Sequence, residues 1–185
     1  MKLFIFISLA LITNLHSASF AQNNNPRSIT QDDSLKIENT ISKELEQLGD
    51  SLRVLDKFYL DEQFIEFKSD TFAIERRREM RMEINWSTAG MNNASYAAER
   101  EYDQLLNKYY QKLLGKLDDE DKEILRQSQR NWIRFRDSER DVNYMLTDWQ
   151  YSGGGTIQTT INANHHLEIT KHRVIELYRY LSRFM

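Results

Sequence analysis

Apolar side chains recur along this chain at steps of three and four residues, which is the period of an amphipathic α-helix. The most regular run lies between Asp33 and Tyr59, where apolar positions follow steps of 4, 3, 4, 3 and 4. Its members are Ile41, Leu45, Leu48, Leu52, Leu55 and Tyr59. No segment shows the strict alternation of a half-buried strand. The pattern predicts an all-α protein, an antiparallel bundle of about four to five helices with no sheet.

The middle of the chain predicts two more helices joined by a loop. The second helix is expected over about Asp61–Ile84, with a weak point at residues 69–71, and the loop Ser87–Asn93 follows it. Asn93 is a suitable cap for the third helix, because its short polar side chain can accept from the free amides of a first turn. Gly115 stands where a helix often ends in a left-handed residue.

Two further helices are predicted toward the end of the chain. The fourth should run from Asp118 to near Trp149, since acidic side chains in its first turn complement the helix dipole. The last should begin near Asn164, and the glycine-rich segment Tyr151–Thr160 before it is expected to be a loop. The apolar stripe of the fourth helix consists of Ile124, Leu125, Ser128, Trp132, Phe135, Val142 and Leu146.

The first 21 residues have the form of a cleavable export signal. Lys2 precedes the apolar stretch Leu3–Ile12, and Ser19 and Ala21 have the small-x-small spacing that a signal peptidase recognises. The alternative is a membrane anchor, but this stretch is shorter than the roughly 20 apolar residues that span a bilayer. We expect cleavage after Ala21, a flexible polar lead over residues 22–32, and a mature protein in the periplasm or secreted, without stable membrane insertion.

Composition narrows the possible functions of the mature protein. The chain has no cysteine, which excludes a thiol nucleophile, a thiolate metal site and disulfide support. Removing the leader takes away one lysine, which leaves 24 basic and 28 acidic residues and a net charge of −4. A nucleic-acid-binding protein would show a basic excess, so nucleic acid is not an expected partner.

Candidate metal ligands occur on the predicted last helix. His165, Glu168, His172 and Glu176 follow steps of 3, 4 and 4, and imidazole and carboxylate groups at such spacing can share a metal. A solvated face with a His172–Glu176 pair explains the pattern more simply, since no H-E-x-x-H motif is present. No serine lies in a nucleophile-elbow motif either. We therefore predict no metal, no cofactor and no catalytic residue, and a protein that is not an enzyme.

The glycine-rich segment is the candidate binding loop. Its three consecutive glycines lack the lysine-serine pair of a phosphate-binding loop, and a turn that lets two helices reverse explains the glycines better. A tyrosine beside them supplies a large contact area at low entropic cost. The candidate binding residues are Tyr151, Ser152, Gly153, Gly154, Gly155, Thr156 and Gln158.

Two stretches are rich in arginine. The run 76–78 is expected to be a solvated face that pairs with Glu75 and Glu79. In the segment 129–139 we favour a structural role, with Arg134–Asp137 and Arg136–Glu139 as pairs three residues apart, although arginine also suits a carboxylate on a neighbouring helix or a partner. The candidate structural motif consists of Gln129, Arg130, Trp132, Phe135, Arg136, Asp137 and Glu139.

These stretches belong to a pattern that resembles the LprI-like lysozyme-inhibitor domain family of exported bacterial proteins. The resemblance covers about half of the chain, residues 90–181, and its most specific part is the run Q-R-x-W-I-x-F-R-D-x-E followed by S-G-G. The matching residues are Met91-Asn92, Leu106-Asn107, Tyr110, Leu113-Leu114, Gln129-Arg130, Trp132-Ile133, Phe135-Arg136-Asp137, Glu139, Ser152-Gly153-Gly154, Thr170, Arg173 and Leu177. Members of the family commonly carry cysteines near the positions of Ala94, Arg140 and His165, where this chain has none.

The resemblance implies a helical domain of the cell envelope with an inhibitor-type function. We expect a non-enzymatic binding protein that occupies the surface of a lysozyme or of another envelope protein. The alternative is an envelope scaffold that pairs through the apolar stripe of the first helix. On this interpretation residues 33–89 form an N-terminal helical extension and residues 90–185 form the LprI-like domain.

Overall fold

The computed structural model describes residues 25–56 and 61–184, and this part of the chain contains helices and no strand. The α-helices are α1 (Gln31–Asp56), α2 (Glu62–Ile84), α3 (Thr88–Leu114), α4 (Asp119–Leu146), α5 (Trp149–Ser152) and α6 (Ile157–Leu181), and a 3-10 turn over Ser182–Phe184 follows them. The predicted all-α helical bundle is confirmed. The proposed signal peptide, residues 1–21, lies outside the described residues.

Short polar side chains fix the starts of three helices. Asp61 caps α2 by accepting from the amide of Phe64 at 2.8 Å, and Asp118 caps α4 by accepting from the amide of Asp121 at 3.0 Å. The cap of α3 is Ser87, whose Oγ accepts from the Gly90 amide at 3.1 Å. The prediction that Asn93 caps α3 after a loop was therefore wrong, because Ser87, the first residue of the predicted loop, caps the helix.

Other helix boundaries in the structure also differ from the predicted ones. Gly115 has φ −66°, a right-handed conformation, instead of the expected left-handed one. Residues 69–71 do not interrupt α2, which is continuous over Glu62–Ile84, and the Thr71 hydroxyl donates to the Phe67 carbonyl of the same helix at 2.9 Å. Helix α4 ends at Leu146 and not near Trp149, and α6 begins at Ile157 and not near Asn164. Helical residues thus take up most of the predicted loop 151–160.

Helices α3 and α6 form the centre of the bundle and run parallel. Near the N-terminal ends of the two helices, Ser95 donates to Asn164 at 3.0 Å. Tyr109 and Tyr178 each lie 14 residues further along their helices, and their rings are 5.9 Å apart, so the two helices run in the same direction. Both helices also bury small residues, Ala94 and Ala98 on α3 and Ala163 on α6.

Helices α2 and α4 pack on the central pair and run antiparallel to it. Phe67 and Ile74 of α2 belong to the main core, where the Phe67 ring stacks on Tyr178 at 3.9 Å. The remaining buried members of that core are Ala98, Tyr102, Leu105, Leu106, Tyr109, Leu113, Leu125, Leu167, Val174, Leu177 and Leu181. Helix α2 therefore shares one core with α3 and α6.

Helix α1 covers the outer side of α2. Ile37 and Ile41 are buried with Met80 in a second, smaller cluster, and Leu45 packs against it. Leu52 is also buried, so the apolar stripe of α1 is used within the chain. The side chain of Leu55 and the whole of Tyr59 lie outside the described residues. In the described ranges no helix is both long and apolar enough to cross a membrane.

Candidate functional site

A buried arginine joins α6 to α4. Arg173 is 4% exposed, and its Nε donates to the Gln129 side-chain oxygen at 3.1 Å. Its two terminal nitrogens donate to Glu176 at 2.6 Å and to Ser128 Oγ at 3.2 Å. Burial alone would raise the pKa of Glu176, but hydrogen bonds from Tyr180 and Arg173 lower that pKa below its ordinary value. The charge of Arg173 is thus neutralised by a carboxylate in direct contact.

Trp132 lies between two guanidinium groups. Arg173 is 5.8 Å from the centre of its ring and Arg136 is 5.3 Å away, both within cation–π range. Arg136 also contacts Asp137 at 2.8 Å and Asp103 of α3 at 3.8 Å. The predicted Arg136–Glu139 pair was therefore wrong, because the guanidinium is held by its sequence neighbour and by α3.

A second ion pair links α4 to α3. Arg140 donates to Glu99 at 2.6 Å, and the hydroxyl of Thr170 on α6 lies 3.5 Å from the same carboxylate. His166 lies close by, and burial, followed by the positive charge of Arg140, lowers the pKa of its imidazole. Protonation of His166 is therefore unfavourable where α3, α4 and α6 meet.

The remaining residues of the candidate motif point away from these contacts. Arg130 is exposed and donates to Glu123 at 2.6 Å and to Gln127, while Asp137 is exposed apart from its contact with Arg136. Glu139 is half-buried. Phe135 was expected on the buried stripe of α4, and its side chain is 54% exposed. The structure thus separates the motif into a packed part, centred on Gln129, Trp132 and Arg136, and an exposed part.

The arginine run 76–78 is not a simple solvated face. Arg76 does contact Glu79 at 3.3 Å, but Arg77 also bonds Glu38 of α1 at 2.6 Å and contacts Glu101 of α3. Arg78 donates to Asn164 of α6 at 2.9 Å. The hydrogen bonds that Arg77 donates to the Glu38 carboxylate are the main cause that raises the pKa of Arg77. These arginines therefore connect α2 to three other helices.

The candidate metal ligands do not converge. His172 is exposed and lies 3.9 Å from Glu168, whereas Glu176 bonds Arg173 and Tyr180 instead of the predicted His172. The predicted His172–Glu176 pair is thus replaced by two others. Within residues 25–56 and 61–184, no group of three or more histidine, aspartate or glutamate side chains is arranged to hold a metal ion.

The candidate binding residues form a tight turn between α5 and α6. Gly153, Gly154 and Gly155 all have positive φ angles, of 71°, 77° and 94°, which favour glycine. The Ser152 hydroxyl accepts from the Gly154 amide at 3.0 Å and lies 3.0 Å from the carbonyl of Thr147, so it fastens the turn to the end of α4. Tyr151 is 58% exposed, Thr156 is exposed and Gln158 is half-buried.

An exposed apolar surface surrounds this turn, and the sequence pattern did not predict it. Val142 and Leu146 were expected on the buried stripe of α4, but both side chains are exposed. Trp149, placed at the predicted end of α4, is 75% exposed on α5. The other exposed apolar side chains nearby are Tyr144, Met145, Ile157 and Ile161. The clustering of large aromatic residues beside the glycines was the available signal.

A comparison of the chain with protein-family models finds the family that the sequence resembles. The family model described as lysozyme inhibitor LprI matches residues 81–177, a range that spans α3, α4, the glycine turn and most of α6. No curated protein and no solved structure shows a significant similarity to this chain. Because the family match covers slightly more than half of the 185 residues and includes the Gln129–Arg173 contact, the chain belongs to the LprI lysozyme inhibitor family.

Proposed function

We propose that this protein is an exported, non-enzymatic binding protein that inhibits a lysozyme by occupying its surface through residues 151–158. The observation that carries the proposal is the exposure of Tyr151 beside the glycine turn, inside the segment matched by an inhibitor family. Tyrosine is a frequent anchor in protein interfaces, because it buries a large ring and still offers a hydroxyl group.

The geometry of the turn supports a contact role. The hydrogen bond between the Gly154 amide and Ser152 fixes the turn in one conformation before any partner arrives. A segment that is already ordered loses less conformational entropy on binding than a flexible loop. The same segment would therefore serve better as a recognition element than as a mere connection.

An inhibition assay tests this function. The mature chain, starting at Gln22, should slow lysozyme turnover at a near-stoichiometric ratio, and the double variant Tyr151→Ala with Gln158→Ala should inhibit more weakly. The matched control is Phe184→Ala with Gln111→Ala, which removes an exposed aromatic ring and an exposed amide elsewhere. Absence of inhibition at large excess against several lysozyme types would refute the proposal.

Export by a cleaved signal is part of the same proposal. The apolar stretch before Ser19 and Ala21 supports it. Terminal sequencing of the protein recovered from the periplasm or medium should begin at Gln22. Recovery of a chain that keeps residues 1–21 and sediments with membranes would favour an anchor instead.

The scaffold alternative has less support. It was based on the apolar stripe of α1, but Ile37 and Ile41 lie buried against Met80 of α2. A stripe that is covered by its own chain is not free to pair with another protein. We therefore retain the inhibitor-type function as the proposal.

A further inference from the structure

The end of the bundle formed by residues 141–164 has a surface that its own chain leaves uncovered. We call it the aromatic pole, and it consists of the exposed side chains Val142, Tyr144, Met145, Leu146, Trp149, Tyr151, Ile157 and Ile161. We propose that the aromatic pole is a docking surface for a cationic protein and that Trp149 is its anchor. The identity of that protein as a lysozyme rests on the proposed function, whereas the surface and its charge preference do not.

Apolar exposure is concentrated at this pole. Half of the large hydrophobic side chains that are exposed in the described residues fall between Val142 and Ile161. Single exposed apolar residues are normal on a protein surface, but a contiguous group of them marks an interaction site. Aromatic residues and methionine are also the types that are enriched at interfaces.

Polar contacts bring the three helix ends of the pole together. Asn143 of α4 donates to Asn162 of α6 at 2.6 Å, and Asn92 of α3 donates to Thr159 of α6 at 2.8 Å. The last turn of α4, the short α5 and the first turn of α6 therefore lie at the same end of the bundle. Their exposed apolar side chains therefore lie at this one end of the bundle.

The backbone of the glycine turn supports the Trp149 ring. A Cβ atom at Gly154 would lie only 2.4 Å from Cε3 of the indole, so the ring lies directly against this glycine. The opposite side of the ring faces solvent, which accounts for its 75% exposure. A ring that is held on one side and open on the other pays little entropy on binding, and tryptophan is among the residues most enriched at binding hot spots.

The charge of the pole selects the class of partner. Residues 141–164 include no lysine or arginine, whereas Asp141 and Asp148 are both exposed. Anionic membranes and nucleic acids would be repelled by such a surface, since both are attracted by basic residues. A protein with a positively charged surface is attracted, and its association is faster at low salt. Lysozymes are usually cationic and are therefore suitable probes.

Direct binding, measured without an activity readout, tests the proposal. The full mature chain is immobilised and exposed to native lysozyme, to the same lysozyme with acetylated lysines, and to phosphatidylcholine vesicles. Trp149→Ala is compared with Phe184→Ala, which removes an exposed aromatic ring at the opposite end of α6. Asp141→Lys is compared with Glu46→Lys, the same charge reversal at an exposed position of α1. Circular dichroism checks that each variant is folded.

We expect native lysozyme to bind, acetylated lysozyme to bind more weakly, and vesicles not to bind. Trp149→Ala should weaken binding by about tenfold or more, as expected of a hot-spot tryptophan, and Phe184→Ala should not. Asp141→Lys should weaken binding more than Glu46→Lys does. Unchanged affinity of the folded Trp149→Ala variant, equal binding of acetylated lysozyme, no binding of native lysozyme, or vesicle binding that requires Trp149 would each overturn the proposal.

The two proposals fail in different ways. Lysozyme that binds through Trp149 but keeps its full activity would remove the inhibitor function and leave the docking surface in place. Conversely, inhibition that Trp149→Ala leaves unchanged would preserve the inhibitor function and remove this surface as its basis.

Discussion

Replacing Arg173 by methionine should weaken the attachment of α4 to α6. Arg173 reaches across the interface to Gln129 at 3.1 Å and Ser128 at 3.2 Å, and its guanidinium lies 5.8 Å from the centre of the Trp132 ring. Methionine keeps an aliphatic stem of similar size but has no donor. The variant therefore removes the polar contacts without opening a large cavity.

The expected loss of stability follows from the exposure of each partner. Gln129 is buried, so an orphaned amide oxygen there costs about 1–3 kcal/mol. Ser128 is exposed and Glu176 is half-exposed, so water replaces the guanidinium at both and little is lost. The cation–π contact with Trp132 adds about 0.5–1 kcal/mol. A total of about 1.5–4 kcal/mol should lower the Tm by about 3–16 °C in a protein of this size.

Urea unfolding followed by far-ultraviolet circular dichroism and tryptophan fluorescence measures this effect. The matched control is Arg179→Met, which makes the same change at an exposed position of the same helix. The control should stay within about 0.5 kcal/mol of the unchanged protein. If Arg173→Met is no less stable than Arg179→Met, the assignment of Gln129 and Arg173 as the contact that holds α4 in place is refuted.

Three further changes test other parts of the molecule. A chain that starts at residue 61 should still unfold cooperatively. A chain that starts at residue 90 lacks Phe67 and Ile74 of the main core and should lose the near-ultraviolet dichroism of packed aromatic rings. A well-packed 90–185 fragment would contradict this prediction. Gly154→Ala should disrupt the turn and raise its hydrogen exchange more than Gly153→Ala does, because only at Gly154 would the added Cβ collide with Trp149; equal exchange in both variants would contradict the close contact. The pKa of His166 is lower in the folded protein than the ordinary histidine value of 6.5. The contribution of His166 to the free energy of unfolding should therefore be complete above pH 6.5 and should fall as the pH drops toward the folded-state pKa, because the unfolded chain binds the proton more readily in that range. His166→Gln should remove that part of the pH dependence, and an unchanged slope would show that other groups cause it.

Apolar periodicity was sufficient to predict the fold class and the approximate positions of the long helices. It succeeds because residues three or four apart share a helix face whatever that face packs against. Helix ends were less predictable. The segment 87–93 contains a glycine and two asparagines and suggested a loop, yet a hydrogen bond from the Gly90 amide to Ser87 starts α3 at the beginning of this segment. Local capping geometry decided this boundary, and composition did not reveal it.

The docking of α4 was the least predictable feature, because its packed face is not its most apolar face. The side chains that meet α3 and α6 include Gln129, Arg136, Arg140 and Asn143, and Leu125 is the buried apolar residue among them. Periodicity predicted a buried apolar stripe on α4, but of its members only Leu125 is buried and Trp132 is partly buried, whereas Ile124, Phe135, Val142 and Leu146 are exposed. Ion pairs between distant residues, such as Arg140–Glu99, depend on a helix order and direction that hydropathy does not encode.

The candidate binding segment depends on a different signal and stays a prediction. Glycines beside a tyrosine are visible in the sequence, and Tyr151 is exposed in the structure. The sequence pattern does not mark Trp149 as a candidate binding residue, because it places this residue at the end of the fourth helix. Its exposure depends on the early termination of α4 at Leu146, which no periodic pattern signals.

The way in which α4 is attached connects stability to the proposed function. In this cysteine-free chain Arg140 forms an ion pair with Glu99 across the interface between α3 and α4. Ion pairs and hydrogen bonds weaken when either partner is neutralised. The helix that carries half of the aromatic pole buries one apolar side chain, Leu125, and packs Trp132 partly against the main core, so polar contacts make up much of its attachment. A partner that covers the pole would bury the apolar edge of α4 that the chain leaves exposed, and binding would then stabilise the element that is most weakly attached.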